Sequence, residues 1–135
     1  MRRVAASLAA IGLLAGLAMA APVAASEPSY SPAFQACLDS DEGMSTHGQI
    51  ACIGAELERQ DQRLNAAYRE AMGRLNPRQQ GALRTAQRAW IAFRDADCAS
   101  LTDADWGTLS RVSANFCMLR MTAERADHLQ SYPEN

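Results

Sequence analysis

The sequence predicts an all-α fold: a small antiparallel three-helix bundle with a short extra N-terminal helix, stapled by disulfide bonds. Three observations support this prediction. Apolar residues recur at intervals of three, four or seven in three long segments, which is the spacing of amphipathic helices. No segment shows the alternation of a convincing strand, and four cysteines are available to link the helices.

The chain begins with the pattern of a targeting segment. Two arginines precede an uncharged apolar run over 4–20, and small residues at 23–25 suit a signal peptidase. We expect residues 1–25 to be a signal peptide that is removed; cleavage after Ala20 is the alternative. The first cysteine is Cys37, too far from the cleavage site for a lipid anchor. The remaining chain is therefore expected to be soluble, without a membrane anchor, and periplasmic or secreted.

The charge of the remaining chain is mildly acidic. Cleavage would remove Arg2 and Arg3 from the 13 basic residues, so that 11 arginines face 15 acidic residues and the formal net charge becomes −4. Such a surface disfavours nucleic acid and anionic lipid as partners and weakly favours a cationic one. A purely solubilising role is the simpler explanation of the same charge.

The first half of the remaining chain predicts a leader and two helices. Residues 26–33 contain two prolines and three serines and predict a flexible leader. A short helix over 34–40 would end at the acidic, glycine-containing segment 41–43. A long helix is predicted over 45–75. Its apolar stripe comprises Ile50, Ile53, Leu57, Leu64, Tyr68, Met72 and Leu75.

The second long helix is predicted over 77–97. Asn76 can cap it, Pro77 suits its first position, and Gln79 lies where a capping-box partner would. The tight connection at Asn76 predicts antiparallel packing, which would place Arg94 opposite Glu56 or Glu58. Its stripe comprises Leu83, Ala86, Trp90, Phe93 and Asp97.

The last helix is predicted over 108–130, after a polar, acidic connection over 99–107. Tyr132 and Pro133 would end it. Its apolar face comprises Leu109, Val112, Phe116, Leu119, Ala123 and Ala126.

The four cysteines, Cys37, Cys52, Cys98 and Cys117, predict a disulfide framework. Their intervals lack the close pairs of a zinc site. Three pairings are possible. A bond between Cys52 and Cys98 is credible because the helix hairpin places them at one level. We favour the local pairs Cys37–Cys52 and Cys98–Cys117, each of which closes a short loop worth about 3 kcal/mol in the chain-entropy model.

One motif is specific enough to indicate a family. It runs from Gln87-Arg88-Ala89-Trp90-Ile91 through Arg94-Asp95-Ala96 to Cys98. Further positions agree with the same pattern: Cys52, Glu56, Asp61, Leu64, Asn65, Tyr68, Cys117, Thr122 and Arg125. Over roughly 37–129 the chain resembles the LprI-type lysozyme inhibitors, and we assign residues 34–131 to an LprI-like helical domain. The family has an early and a late cysteine pair, which supports the local disulfides. The chain differs from the lipid-anchored member that gave the family its name, because it lacks a lipidation cysteine.

Enzymatic chemistry is poorly supported. The two histidines, His47 and His128, lie in polar surroundings near element ends, and no serine lies in a nucleophile elbow. No metal-ligand spacing is present. We therefore predict a protein that is not an enzyme and has no cofactor.

The resemblance implies binding of a lysozyme, and the sequence suggests where. We interpret Gln87, Trp90, Arg94 and Asp95 as structural and Phe93 as core. The candidate contact residues are Asp95, Asp97, Asp103, Asp105 and Trp106, which follow one another around one end of the bundle. Packing of Trp106 as a lid over the helix ends is the alternative. For the whole protein, the alternative is an envelope interaction or stress module with no lysozyme target.

Overall fold

The computed structural model describes residues 27–133, and within that range the protein is entirely helical. Helix α1 (Pro32–Leu38) is followed by a 3₁₀ turn (Glu42–Met44) and by the long helices α2 (Thr46–Arg74), α3 (Pro77–Ala99) and α4 (Gly107–Ser131). The all-α prediction is confirmed, as is the order of one short and three long helices. The predicted signal peptide lies outside the described residues.

Helix α1 starts two residues earlier than predicted. The Ser31 hydroxyl accepts a hydrogen bond from the backbone N–H of Phe34, and Pro32 occupies the first helical position. This cap and proline had been assigned to the leader. Ser45 caps α2 in the same way through the backbone N–H of Gly48.

The connection between α2 and α3 consists of Leu75 and Asn76. The predicted capping box is confirmed: Asn76 Oδ1 accepts from Gln79 N at 3.0 Å, and Gln79 Oε1 accepts from Asn76 N at 3.1 Å. Gln80 Nε2 donates to the carbonyl oxygens of Leu75 and of Met72, which also accepts from the backbone N–H of Leu75 at the end of α2. Side chains thus fix the turn from both sides.

The three long helices pack unevenly. The backbones of α2 and α4 approach each other along much of their length, whereas α3 approaches α4 at fewer positions and α2 hardly at all. Arg63 of α2 bonds to Asp127 and Arg74 to the carbonyl of Gln130, so α2 and α4 run in the same direction. Helix α3 runs opposite to both. The predicted bundle is therefore present only in part: an α2–α4 pair with α3 against α4.

Small side chains explain why α2 and α4 lie so close. Ala67 and Ala71 on α2 and Ala123 and Ala126 on α4 are all almost completely buried. Alanines at a helix contact allow a short interaxial distance. Larger apolar residues fill the space beside them: Leu64, Leu75, Leu83 and Leu129 in one cluster, and Phe34, Ile53 and Leu119 in another.

Three large apolar residues predicted to be in the core are exposed, and so is the small Ala86. Phe93 is 59% exposed, Leu109 60% and Phe116 40%. Phe93 lies about 100° around α3 from Arg94, which faces α4, so its side chain does not point towards the helix that α3 contacts most. Leu109 lies one turn before Val112, where α4 joins the Phe34 cluster.

Both predicted disulfides, Cys37–Cys52 and Cys98–Cys117, are confirmed. The first ties α1 to α2, and the second ties the end of α3 to α4. The expected ion pair of Arg94 with Glu56 or Glu58 is wrong: Arg94 pairs with Asp95. The reason is that α3 packs on α4 rather than on α2.

Candidate functional site

The connection between α3 and α4 is shaped by its own hydrogen bonds. Ser110 Oγ donates to the carbonyl oxygens of Asp103 at 2.9 Å and Gly107 at 2.8 Å, and Asp103 Oδ1 accepts from Asp105 N at 2.7 Å. Gly107 adopts a φ of +58°, a conformation that side chains other than glycine disfavour. These contacts fix the position at which α4 begins. They therefore also fix the backbone position of Trp106, the residue directly before the helix.

We call the five predicted contact residues the acidic end: Asp103, Asp105 and Trp106 lie in this connection, and Asp95 and Asp97 lie in the last turns of α3. All five are exposed. Asp95 Oδ1 pairs with Arg94 Nη2 at 2.8 Å, and the Asp103 carboxylate takes part in the turn described above. Trp106 is 68% exposed, so the alternative of a lid over the helix ends is wrong. Partner binding by these residues stays a prediction.

The acidic end also exposes apolar residues that the sequence analysis did not assign to it. Leu101 lies in the connection and Leu109 in the first turn of α4, and both are exposed. A shallow cavity of about 210 Å³ is lined by Leu101, Trp106, Asp103 and two serines. Leu101 was overlooked within a polar connection, and Leu109 had been assigned to the core.

A second concave feature, the α2–α3 groove, lies between the two helices that pack least closely. It has a volume of about 350 Å³. Asp61, Leu64, Asn65 and Tyr68 line it from α2, and residues between Arg84 and Arg94 line it from α3. The sequence pattern does not indicate this groove, because it predicts that α2 and α3 pack against each other.

The family-motif residues of α3 hold that helix against α4. The Cζ atoms of Arg94 and Arg125 lie 5.0 and 5.8 Å from the centre of the Trp90 ring, within reach of a cation–π interaction. Arg94 Nη1 donates to Thr122 Oγ1 at 3.1 Å, and Arg125 Nε donates to Gln87 Oε1 at 3.0 Å. Burial lowers the pKa of Arg125. Trp90, which was predicted to lie in the core, is only half-buried.

Glu56 fixes the segment before α1. Its side chain is fully buried; Oε1 accepts from Ser31 N at 2.8 Å and Oε2 from Ser31 Oγ at 2.6 Å. Gln60 and Arg59 donate to the same carboxylate, and Gln60 also donates to the Ser29 carbonyl. Burial would raise the pKa of Glu56, but hydrogen bonds from Ser31, Gln60 and Arg59 outweigh it and lower the pKa to about 2. The leader expected to be flexible is thus bound to α2 from Ser29 onward.

Possible metal ligands and the two histidines are scattered over residues 27–133. They contain no group of three or more His, Cys, Asp or Glu side chains placed to hold a metal ion. His47 lies in the first turn of α2 and His128 near the end of α4, at opposite ends of two helices that run in the same direction. Within the same range, no helix is both long and apolar enough to cross a membrane.

Comparison with known proteins identifies the family. The model of the family described as lysozyme inhibitor LprI matches residues 37–129. Neither the curated proteins nor the solved structures include a significant match. The matched range contains both disulfides, the Trp90 contacts and the acidic end. Because it covers more than half of the 135 residues, the chain belongs to the LprI lysozyme inhibitor family.

Proposed function

We propose that this protein is exported to the periplasm or the cell exterior and inhibits a cationic lysozyme by protein–protein contact through its acidic end. Family membership supports the lysozyme target. Two disulfides and no free cysteine among the described residues support an oxidising compartment. The protein acts by occupying a surface and catalyses no reaction.

The observation that carries this proposal is an exposed tryptophan that lies beside Asp103 in a shallow cavity and follows Asp105 in the chain. Trp106 is the most exposed aromatic residue that the structure describes; Asp105 directly precedes it and Asp103 lies three residues before it. Tryptophan is enriched among residues that dominate binding energy, because a rigid aromatic side chain loses much water contact at little entropic cost. Leu101 and Leu109 enlarge the apolar area around it. A cleft entrance on the partner is a suitable receptor for such a side chain.

Charge would guide the approach of the two proteins. Four aspartates at one end form a local negative field, although Arg94 neutralises part of the charge of Asp95. A positively charged lysozyme surface is attracted to that end, which raises the association rate. Salt screens this attraction over a Debye length of about 8 Å at physiological ionic strength. Association should therefore slow as salt increases, whereas dissociation should depend mainly on Trp106.

A turbidity assay of lysozyme activity on bacterial cells, with and without the purified protein, tests the proposal. The wild type should inhibit. Replacing Asp95, Asp97, Asp103 and Asp105 together by asparagine should weaken inhibition and flatten its salt dependence. Trp106→Ala should weaken binding by about 2 kcal/mol or more. A control of equal charge change replaces four exposed acidic residues elsewhere: Asp41, Glu42, Glu58 and Glu70.

The control variant should inhibit as the wild type does. If both acidic-end variants inhibit equally well with unchanged salt dependence, the contact surface lies elsewhere. If the wild type neither binds nor inhibits lysozymes of several types, the inhibitor proposal fails. The second candidate, an envelope interaction module without a lysozyme target, then takes its place. The α2–α3 groove favours that candidate, because its arginines do not suit a cationic partner.

A further inference from the structure

The α2–α3 groove has the dimensions of a site for a small, elongated ligand. Its α2 wall runs from Asp61 to Tyr68 and its α3 wall from Arg84 to Arg94. At 1.5 Å per residue these walls are about 10 and 15 Å long. The volume of about 350 Å³ lies at the lower end of the range for small-molecule sites. The groove is open because α3 packs on α4 instead of closing against α2.

The charges of the groove favour an anion. Arg84 and Arg88 are four residues apart on α3, so their side chains lie on neighbouring turns of one face. Neither forms an ion pair among residues 27–133. The one acidic side chain in the groove, Asp61, accepts a hydrogen bond from Asn65 Nδ2 at 3.0 Å. Two arginines without an internal partner can bind a carboxylate through charge-assisted hydrogen bonds.

The walls of the groove restrict what the rest of the ligand can be. Both walls are helices, whose backbone N–H and C=O groups are already bonded to each other. An extended peptide therefore finds no edge on which to pair as a strand. An amphipathic helix needs a continuous apolar groove, but Arg84, Arg88, Asp61, Asn65 and Gln87 interrupt the apolar surface of this one.

A saccharide suits these walls better, because it can be recognised by side chains alone. Asn65 and Gln87 present amide groups to hydroxyls, and half-buried Tyr68 presents both an aromatic ring and a hydroxyl. The Gln87 oxygen already accepts from Arg125, which orients the amide and leaves its NH₂ group free to donate. The groove thus combines planar amide groups, an aromatic surface and two positively charged arginines.

We propose that the α2–α3 groove binds a short saccharide that carries a carboxylate. The carboxylate lies between Arg84 and Arg88, and the sugar ring packs against Tyr68. This site is separate from the acidic end, since none of the five acidic-end residues lines the groove. The inference goes beyond lysozyme inhibition and does not depend on it.

Titration of the full-length processed protein with two sugars tests the proposal. N-acetylmuramic acid and N-acetylglucosamine differ in one lactyl ether, which supplies the carboxylate. Isothermal titration calorimetry should show at least tenfold tighter binding of the acidic sugar. The double variant R84Q/R88Q should bind the acidic sugar at least tenfold more weakly and no longer distinguish the two. Tyr68→Leu should weaken binding of both.

A matched control is R69Q/R78Q, which removes two exposed arginines of α2 and α3 that do not line the groove. It should bind the acidic sugar as the wild type does. The proposal is overturned if neither sugar binds, if both bind equally, or if the control variant loses affinity to the same degree. It is also overturned if citrate binds as tightly as the acidic sugar, since the groove would then recognise charge alone. R84Q/R88Q should still inhibit lysozyme, so the two proposals fail independently.

Discussion

The two disulfide bonds differ in what surrounds them. Cys37–Cys52 lies beside Phe34, Ile53 and Leu119, all of which are buried. Cys98–Cys117 lies beside Met121, but the neighbouring connection leaves Trp106 exposed. The sequence separations, 15 and 19 residues, are similar. The chemical link is therefore nearly the same, whereas the apolar burial around it is not.

The difference shows how a small domain can keep apolar residues available for binding. A short chain buries a limited area, and each side chain placed in its core is lost to its surface. The Cys98–Cys117 bond restrains α3, so that Leu101, Trp106 and Leu109 need not be buried to hold the structure together. Stability and contact surface thus depend on different groups of residues.

The largest expected effect on stability comes from replacing a buried leucine of α4, and an exposed leucine of the same helix provides the comparison. Leu119→Ala should lower the free energy of unfolding by about 2–5 kcal/mol, because Leu119 is fully buried in the Phe34 cluster. Leu109→Ala, the matched change at an exposed position, should stay within about 0.5 kcal/mol. Urea unfolding of both variants provides the measurement. Similar losses would show that Leu109 is packed as tightly as Leu119.

Removal of either disulfide is expected to have the next largest effect on stability. Cys37→Ser with Cys52→Ser and Cys98→Ser with Cys117→Ser should each cost about 3 kcal/mol in the chain-entropy model. Their local effects should differ. Without Cys98–Cys117, hydrogen exchange should accelerate at the end of α3, while α4 stays protected by its packing on α2. Faster exchange throughout α4 would contradict this.

Glu56→Gln should have an intermediate effect that depends on pH. The folded pKa of about 2 lies below the ordinary value of 4.5, so the ionised form stabilises the fold. This contribution is complete above about pH 5 and decreases as the pH falls from 4.5 towards 2. At pH 7 the variant should be about 1–3 kcal/mol less stable, as for charged hydrogen bonds. The difference from the wild type should shrink at pH 2–3.

Exposed Glu58→Gln is the control and should change stability little at either pH. Thermal unfolding at pH 7 and pH 3 distinguishes the two variants. A loss for Glu56→Gln that is equal at both pH values would mean that packing, and not ionisation, explains it.

The smallest expected effect on stability is that of Trp106→Ala. With 68% of its surface exposed, the side chain contributes little to the fold, and the free energy of unfolding should change by less than about 0.5 kcal/mol. The same variant is expected to lose lysozyme inhibition. Loss of both stability and inhibition would instead assign Trp106 a structural role.

Local signals in the sequence were sufficient to predict the helices and the disulfide bonds that join them. The capping box at Asn76 depends on residues within three positions, and the local disulfides close short loops. The partners of Glu56 and the exposure of Phe93 depend on which helices pack together. Apolar spacing identifies the buried face of a helix but does not show which other helix packs against that face. For this reason α3 was expected to contact α2.

The two candidate sites show the same limit. The acidic end could be predicted because its residues, from Asp95 to Trp106, are close in sequence. The α2–α3 groove could not, because it exists only where two helices stay apart. Tyr68 and Trp90 carry the spacing of core residues, and their position at the groove follows from the tertiary arrangement alone.

The position of Trp90 beside two guanidinium groups has an optical consequence. The chain contains two tryptophans, and the other, Trp106, is largely in water. Their indole emission should therefore differ, because Trp90 is half-buried near Arg94 and Arg125. Trp106→Phe would leave a single fluorophore on the groove, and Trp90→Phe a single fluorophore at the acidic end. The protein thus contains an intrinsic fluorescent reporter for each surface, and occupancy of either can be followed without a label.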